Sequence, residues 1–567
     1  MKIIFLSFVF LGLFLPALLH GQVKVDKKNL TKLQYEFWDK NKTVVKGVGS
    51  FYKDKVNRTT KKHGTWRYYT KEGLLDEEIN YFTDSLHGRF VSFWEGKTPK
   101  QESYFYMGVP DSVYKNWNEK GILVLDGFYD YGRKADVWYS YYDNGKPMAE
   151  EKFIAGVGLL ENYWLNDSVH SQTITNGKGS TKTFFKSGKL KEVFTVERGL
   201  KNGAYKEYSA RGALLTDGFF KNGFKDSCWT TYYTNERVEK IACYKQDTLY
   251  GEYFTYYENG LLKIHGDFSK GKKTGNWSWY NEQGQLDSEG TFENDLQDGK
   301  WNYYFSSGDL SYRAQFSKGK REGEWEYFYS KNRPFKRGNY ANDLKEGTWK
   351  TWYENGALLM EGAYLKDKEE GSWNNYWDNG KLKNTTTFSQ GKLQGKWLSY
   401  SPFGKLKVEG EYKNDLQTGR WTEWYENGRV KEIINYKVVR KKSKANDVVL
   451  KGRVKQLSVK HGEFVTFSNK DFQVTEEGKY KNGEKHGVWF AYHPGGRLIA
   501  VQNEYKNGKL NGLSQQFDRR GKRIQSSVYK NGRLDGPMRL YNEKGKLTKE
   551  VMFKNGQRVS NDLNFRP

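Results

Sequence analysis

The chain has 567 residues, 36% of them hydrophobic and 17% aromatic, with a mean hydropathy of −0.91. So polar and ring-rich a composition argues against a string of compact cores and for rings buried locally, unit on unit. The formal net charge of +26, from 94 Lys and Arg against 68 Asp and Glu, implies attraction to lipid headgroups, acidic polysaccharide, nucleic acid or an acidic protein, or else a solvated surface whose lysines discourage edge pairing.

Residues 1–21 are Met-Lys followed by an apolar run from Ile3 to Leu19, interrupted by Pro16. This reads as a signal peptide cut between Gly21 and Gln22. The alternative is an uncleaved anchor, since the run is barely long enough to span a bilayer. No Cys follows the run, so the bacterial lipoprotein signal is missing. The expectation is an exported protein, in the periplasm, on the outer cell surface or secreted.

Residues 22–63 hold a worn first repeat around Tyr35-Glu36-Phe37-Trp38 and a Lys-rich connector. Repeats over 64–157 open at Gly64, Gly88, Ser112 and Asp136; 158–178 are degenerate, with the length of a shortened hairpin. From 179 to 438 the array keeps a strict 24-residue period, marked by Gly-x-Trp at Trp277, Trp301, Trp325, Trp349, Trp373, Trp397 and Trp421. A period in the range of about 20–50 residues signals a repeat architecture. Residues 439–461 interrupt it with a basic insertion containing Arg440, Lys441, Lys442 and Lys444, read as an exposed loop that is either simply solvated or a contact for an anionic partner. Repeats resume over 462–560, opening at Gly462, Gly487, Gly512 and Gly536, and the Trp position decays to Ser514 and Met538, as in terminal repeats that cap a stack. Two of these steps are 25 residues long. Bulges near Phe472–Glu477 and Leu498–Asn503 would absorb the extra residues and keep later side chains on their faces.

Each unit carries Trp, an aromatic three residues on, Gly near the seventh position, an aliphatic at the ninth, often Gly at the thirteenth and a ring at the fifteenth. Short ring-rich runs between Asn-Gly turns are the signature of β-hairpins, and runs this short between glycines are poor helices. With a two-residue Asn-Gly turn, Trp faces the glycine thirteen residues on, in its own hairpin, and its ring covers that bare backbone. The Trp and the aromatic three residues later fall on opposite faces of a regular strand, so either both faces carry rings or a bulge lies between them. The predicted fold is all-β: an elongated, twisted antiparallel sheet of about twenty tandem hairpins, with a contour of roughly 190 Å.

No catalytic or metal-binding motif accompanies this pattern, which predicts no enzyme, no cofactor and no metal. His63, His87, His461 and His486 each precede the Gly that opens a unit and read as turn residues. Glu78, Glu289, Glu361 and Glu409 recur with the period and read as exposed cross-strand partners of Lys, worth about 0.2–1 kcal/mol each. Cys228 and Cys243 face each other across one hairpin under the same pairing rule, and in an oxidising compartment would form a disulfide at a Cα separation of about 4.4–6.8 Å; a longer turn would leave two unlinked thiols.

Stretches such as Gly347-Thr-Trp-Lys-Thr-Trp-Tyr-Glu-Asn-Gly356, followed by Leu358, Glu361-Gly362 and Tyr364, resemble the MORN repeat in the variant form of bacterial YwqK-type, antitoxin-like proteins. The resemblance covers roughly residues 32–560 and implies a MORN-like solenoid acting as a scaffold or binding surface, with acidic phospholipid binding and self-association among the family's properties. A toxin-neutralising role sits badly with the export signal. The functional expectation is a non-enzymatic exported scaffold that binds a protein through its aromatic and basic face. The alternative is a binder of anionic lipid or acidic polysaccharide. Nucleic acid is not expected outside the cytoplasm.

Overall fold

The computed structural model describes residues 27–54, 58–442, 454–559 and 563–564. The export signal over 1–21, and residues 443–453 of the insertion with Lys444 among them, lie outside the described residues. Apart from a 3-10 turn at Lys27–Asn29, every described element is a β-strand. The chain divides into two units, Met1–Gly251 and Glu252–Pro567. Each is an open antiparallel sheet in which consecutive strands pair in chain order.

The strands Lys272–Tyr280, Leu286–Glu293 and Leu296–Tyr304 show how one repeat is built. Trp277 is the Cα partner of Gly290, and Gly275 of Phe292, as a pairing sum set by the turn requires. Nearer the tip the register slips. Tyr280 pairs with Leu286, leaving Asp287 as an extra residue on the returning strand. The Asn-Gly tip is therefore a three-residue loop and not the expected two-residue turn. In Glu354-Asn355-Gly356, Tyr353 N–H donates to Ala357 O at 2.8 Å and Gly356 N–H to Tyr353 O at 3.0 Å. Gly356 sits at φ +88°, a left-handed conformation that lets a type I turn end in a bulge and follow the strand twist. The two-residue turn lies at the opposite end of the repeat. Glu293 pairs with Leu296 across Asn294 and Asp295, both at positive φ, the geometry of a type I′ turn.

Between hairpins the ladder is interrupted once per repeat. Glu289 pairs with Asn302 and Thr291 with Asp298, so Gly299-Lys300-Trp301 stand opposite Gly290 alone. Gly299, at φ +70°, starts this bulge. The spacing Gly-x-Trp is thus the length of a bulge that swings the indole onto the hairpin behind it.

The degenerate stretch forms a shortened hairpin, Gln172–Thr175 against Lys178–Phe184, with Ile174 fully buried. The 25-residue steps are absorbed in the tips and not at the expected strand bulges. Ser468 N–H donates to Gln473 O, and His493 N–H to Leu498 O, so each loop holds four residues while the ladders behind stay in register. Extra length costs least in a tip, where no side chain has to change face. The basic insertion departs furthest from expectation. Arg440, Lys441 and Lys442 lie on the strand Val430–Lys442, which pairs with Val454–Phe467, so these positions continue a hairpin and do not form a loop. Their neighbours Val438 and Val439 supply β-branched residues that carry the strand on.

Candidate binding surfaces

A line of tryptophans holds each sheet together. Trp277, Trp301, Trp325, Trp349, Trp373 and Trp421 are at most 8% exposed. Except at Trp325, where Ala314 takes the place, the glycine each covers is not its cross-strand partner but the equivalent glycine of the preceding hairpin. A Cβ on Gly290 would lie 2.2 Å from Cδ2 of Trp301, and one on Gly338 2.0 Å from Cδ2 of Trp349. The indole N–H of Trp277, Trp301, Trp325, Trp349 and Trp373 donates to a carbonyl ten residues back, such as Trp301 to Thr291 at 3.1 Å and Trp373 to Ala363 at 3.1 Å. Trp421 Nε1 is buried without a partner. Trp397 is only half-buried, because the place its ring would cover holds Thr386 in place of glycine. Trp138 and Trp229 cover Gly127 and Gly218 in the same way in the other unit.

The sequence carries a signal for this arrangement. Gly127, Gly218, Gly266 and Gly478 stand in repeats whose own Trp position is Tyr114, Tyr205, Tyr253 and Phe464, but the next repeat brings Trp. Ile79, Ala242 and Asn503 stand in repeats with Trp, where the next brings Phe90, Tyr253 and Ser514. Glycine tracks the following ring.

Cations close the outer face of the rings. Lys273 Nζ lies 4.6 Å from the Trp277 ring centroid, Lys225 4.4 Å from Trp229, Lys134 4.1 Å from Trp138 and Lys485 3.8 Å from Trp489. Lys336 and Lys345 both stand over Trp349, at 4.9 and 5.2 Å. Burial, and then the charge of Lys345, hold Lys336 below the ordinary lysine value. What this face offers a partner is ammonium groups and ring edges, since the indole planes are occupied.

Regular alternation puts the aromatic three residues after Trp on the opposite face, so both faces carry rings. There the glutamates meet tyrosines as well as cations. Tyr304 Oη donates to Glu289 at 2.8 Å, Tyr376 to Glu361 at 2.8 Å and Tyr492 to Glu477 at 2.6 Å, each reaching the preceding hairpin. Glu361 also pairs with Lys350 and Glu409 with Lys396. Burial, and next the hydrogen bond to the carboxylate, push each of these tyrosines up to about 12 from an ordinary 10.0. A phenol whose value is raised by folding stabilises fully below the ordinary value, and loses that stabilisation as pH climbs through the raised one. Thermal stability should therefore fall between pH 10 and about 12, and Tyr376→Phe should flatten that slope; an unchanged slope would remove these tyrosines from the account.

The histidines occupy one repeat position, and there most other repeats place a side chain that accepts from the backbone of the next turn. Lys318 N–H donates to Asp298, Asn342 to Glu322 and Lys366 to Glu346, all near 3.0 Å. His461 Nδ1 accepts from Asn482 N–H at 3.3 Å. The cysteines are directly opposite and bridged, with S–S 1.96 Å. Their Cα atoms are 3.8 Å apart, closer than the expected window.

In the lengthened hairpin Arg440 pairs with Gln456 and Lys441 with Lys455, all exposed. Neighbouring strand positions face opposite ways, so Arg440 and Lys441 do not form one patch. Ser458 Oγ ties the stem to Gln417 O at 2.9 Å. Among the described residues no group of three His, Cys, Asp or Glu is placed to hold a metal ion.

The family model described as MORN repeat variant matches residues 137–155, 273–294, 345–366, 369–390, 393–414, 417–437 and 534–555. Seven stretches of the chain are thus similar to the MORN repeat variant, and they lie within an array built as a repeat scaffold. None of the curated proteins matches the chain. Among solved structures it is similar to the crystal structure of TcdB2-TccC3-Cdc42, at 9% identity and TM-score 0.13, over 91% of this chain and 32% of that one. It is likewise similar to TcdB2-TccC3 without the hypervariable C-terminal region, at 9% identity and TM-score 0.12, over 92% and 31%. The chain spans about a third of the length of those chains, and likenesses this slight decide nothing about it.

Proposed function

We propose that the protein is a non-enzymatic, exported scaffold that binds an acidic protein partner through its lengthened basic hairpin and the lysines over its rings. The observation that carries this reading is the facing pair Lys441 and Lys455. Like charges directly opposite on a ladder are destabilising, and the repeat folds elsewhere without such an extension. Lys336 and Lys345 repeat the pattern, since among the described residues neither pairs with a carboxylate within salt-bridge distance while both crowd one indole. A bound acidic surface relieves both. The bridge between Cys228 and Cys243 supports an oxidising compartment, and with it export.

The test is a pull-down from envelope and medium fractions with the wild type and a Lys441→Glu/Lys455→Glu variant. The expected result is a stoichiometric protein complex, weakened at least about tenfold by the charge reversal, which is roughly 1.4 kcal/mol. Binding to anionic vesicles that collapses on raising salt, with no protein captured, would replace the protein partner with a lipid surface.

A further inference from the structure

One feature of the first unit is not asked for by the repeat. Tyr52, His63, Phe82, His87, Tyr106 and Tyr131 form a continuous row of rings. Successive centroids are 6.0, 5.3, 5.5, 5.3 and 6.1 Å apart. The first five stand on successive strands, so the row crosses the strands instead of following one. Tyr131 is 57% exposed and the others are half-buried.

The other unit shows what these positions need for folding. Where Phe82 and Tyr106 stand, its repeats carry Glu293, Ser317, Ser389 and Lys413, all exposed. Where His63 and His87 stand, two of its repeats also carry histidine, His461 and His486, but others carry Asp298, Glu322, Glu346 and Glu370, whose carboxylates cap the next turn, as Glu370 does for Gln390 N–H at 2.7 Å. The histidines do this less well. Met107 N–H is 3.5 Å from His87 Nδ1, and His63 Nδ1 is buried with no partner. At His63 the turn-capping hydrogen bond is given up in favour of tilted ring contacts with Tyr52 and Phe82. Local rules broken in this way point to a functional strip.

We propose that this row binds a linear, uncharged glycan lying across the strands. Sugar rings present apolar faces to aromatic planes, while hydroxyls meet the polar edges that Tyr and His carry and Phe lacks. An evenly repeating ligand suits an evenly repeating strip. Carboxylates flank the row. Asp84 lies two residues from Phe82, and Asp111 accepts from Tyr131 N–H at 3.1 Å. Lys61 is the ladder partner of Tyr52, so charges of both signs stand beside the row and it lacks the run of cations that a polyanion would need. Burial, and then His87, hold His63 below the ordinary histidine value, which disfavours a charged ring. The strip and the basic hairpin share no residue, so the two proposals are scored on different variants.

The experiment is calorimetric titration of the full-length protein with cellohexaose, xylohexaose, mannohexaose and laminarihexaose, with a polygalacturonate oligomer as the acidic control. At least one neutral hexaose should bind, with little dependence on salt. The variant His63→Asp/Phe82→Ser/His87→Asp/Tyr106→Ser, which restores the ordinary repeat residues, should fold, melt no earlier and bind at least about tenfold more weakly. Tyr131→Asn, a mild change at a turn residue with φ +43°, should weaken binding on its own. The proposal is overturned if no neutral hexaose binds, if both variants bind as the wild type does, if the acidic oligomer binds more tightly, or if the row proves necessary only for capturing a protein.

Discussion

Trp349→Ala should destabilise its part of the array by about 3–5 kcal/mol, the range for losing a fully buried large ring. Gly338→Ala should cost about 1–3 kcal/mol or more by overpacking, since the added methyl lands inside the indole. The informative result is the double variant. Once the ring is gone the methyl has room, so Gly338→Ala should cost little in the Trp349→Ala background. Gly362→Ala should couple instead to Trp373, whose ring its Cβ meets at 2.2 Å, although Gly362 is the ladder partner of Trp349. Hydrogen exchange of the amides from Phe335 to Trp352 gives the local free energies. Strong coupling of Trp349 to Gly362, with additivity at Gly338, would mean that each ring serves its own hairpin.

The second large effect is expected at the disulfide. Cys228 and Cys243 are separated by 15 residues, and closing a loop of that size stabilises by about 3 kcal/mol in the chain-entropy view. Reductant should lower the unfolding free energy of the wild type by up to that amount, and leave a Cys228→Ser/Cys243→Ser variant unchanged. Mass spectrometry of protein purified without reductant should find no free thiol. Two alkylatable thiols in that sample would leave the bridge without support.

Much of the architecture was legible because the repeat makes every local rule visible many times over. The rings, the left-handed glycines and the Asn-Gly tips specify hairpins, and the pairing of Trp277 with Gly290 follows from counting. What counting missed is that a Cα partner need not be what a side chain covers. The bulge at Gly299-Lys300-Trp301 redirects the indole backwards, and its signal lies in Gly127 and Gly218, which answer to the next repeat and not to their own. The insertion was misread because Arg440, Lys441 and Lys442 look like loop residues, whereas the facing strand from Val454 lets them continue a ladder. The ring row of the first unit was hidden for a different cause. Its histidines shared a repeat position with turn-capping acids, so their regular spacing concealed the change in what they do.

The backward reach of each indole gives the array a polarity that its near-identical units conceal. During synthesis a hairpin emerges with its backbone uncovered and is sealed only when the one behind it in translation arrives, so maturation trails elongation by one repeat. Damage should run the opposite way: cutting out a hairpin strips the roof from its N-terminal neighbour and leaves that of its C-terminal neighbour in place.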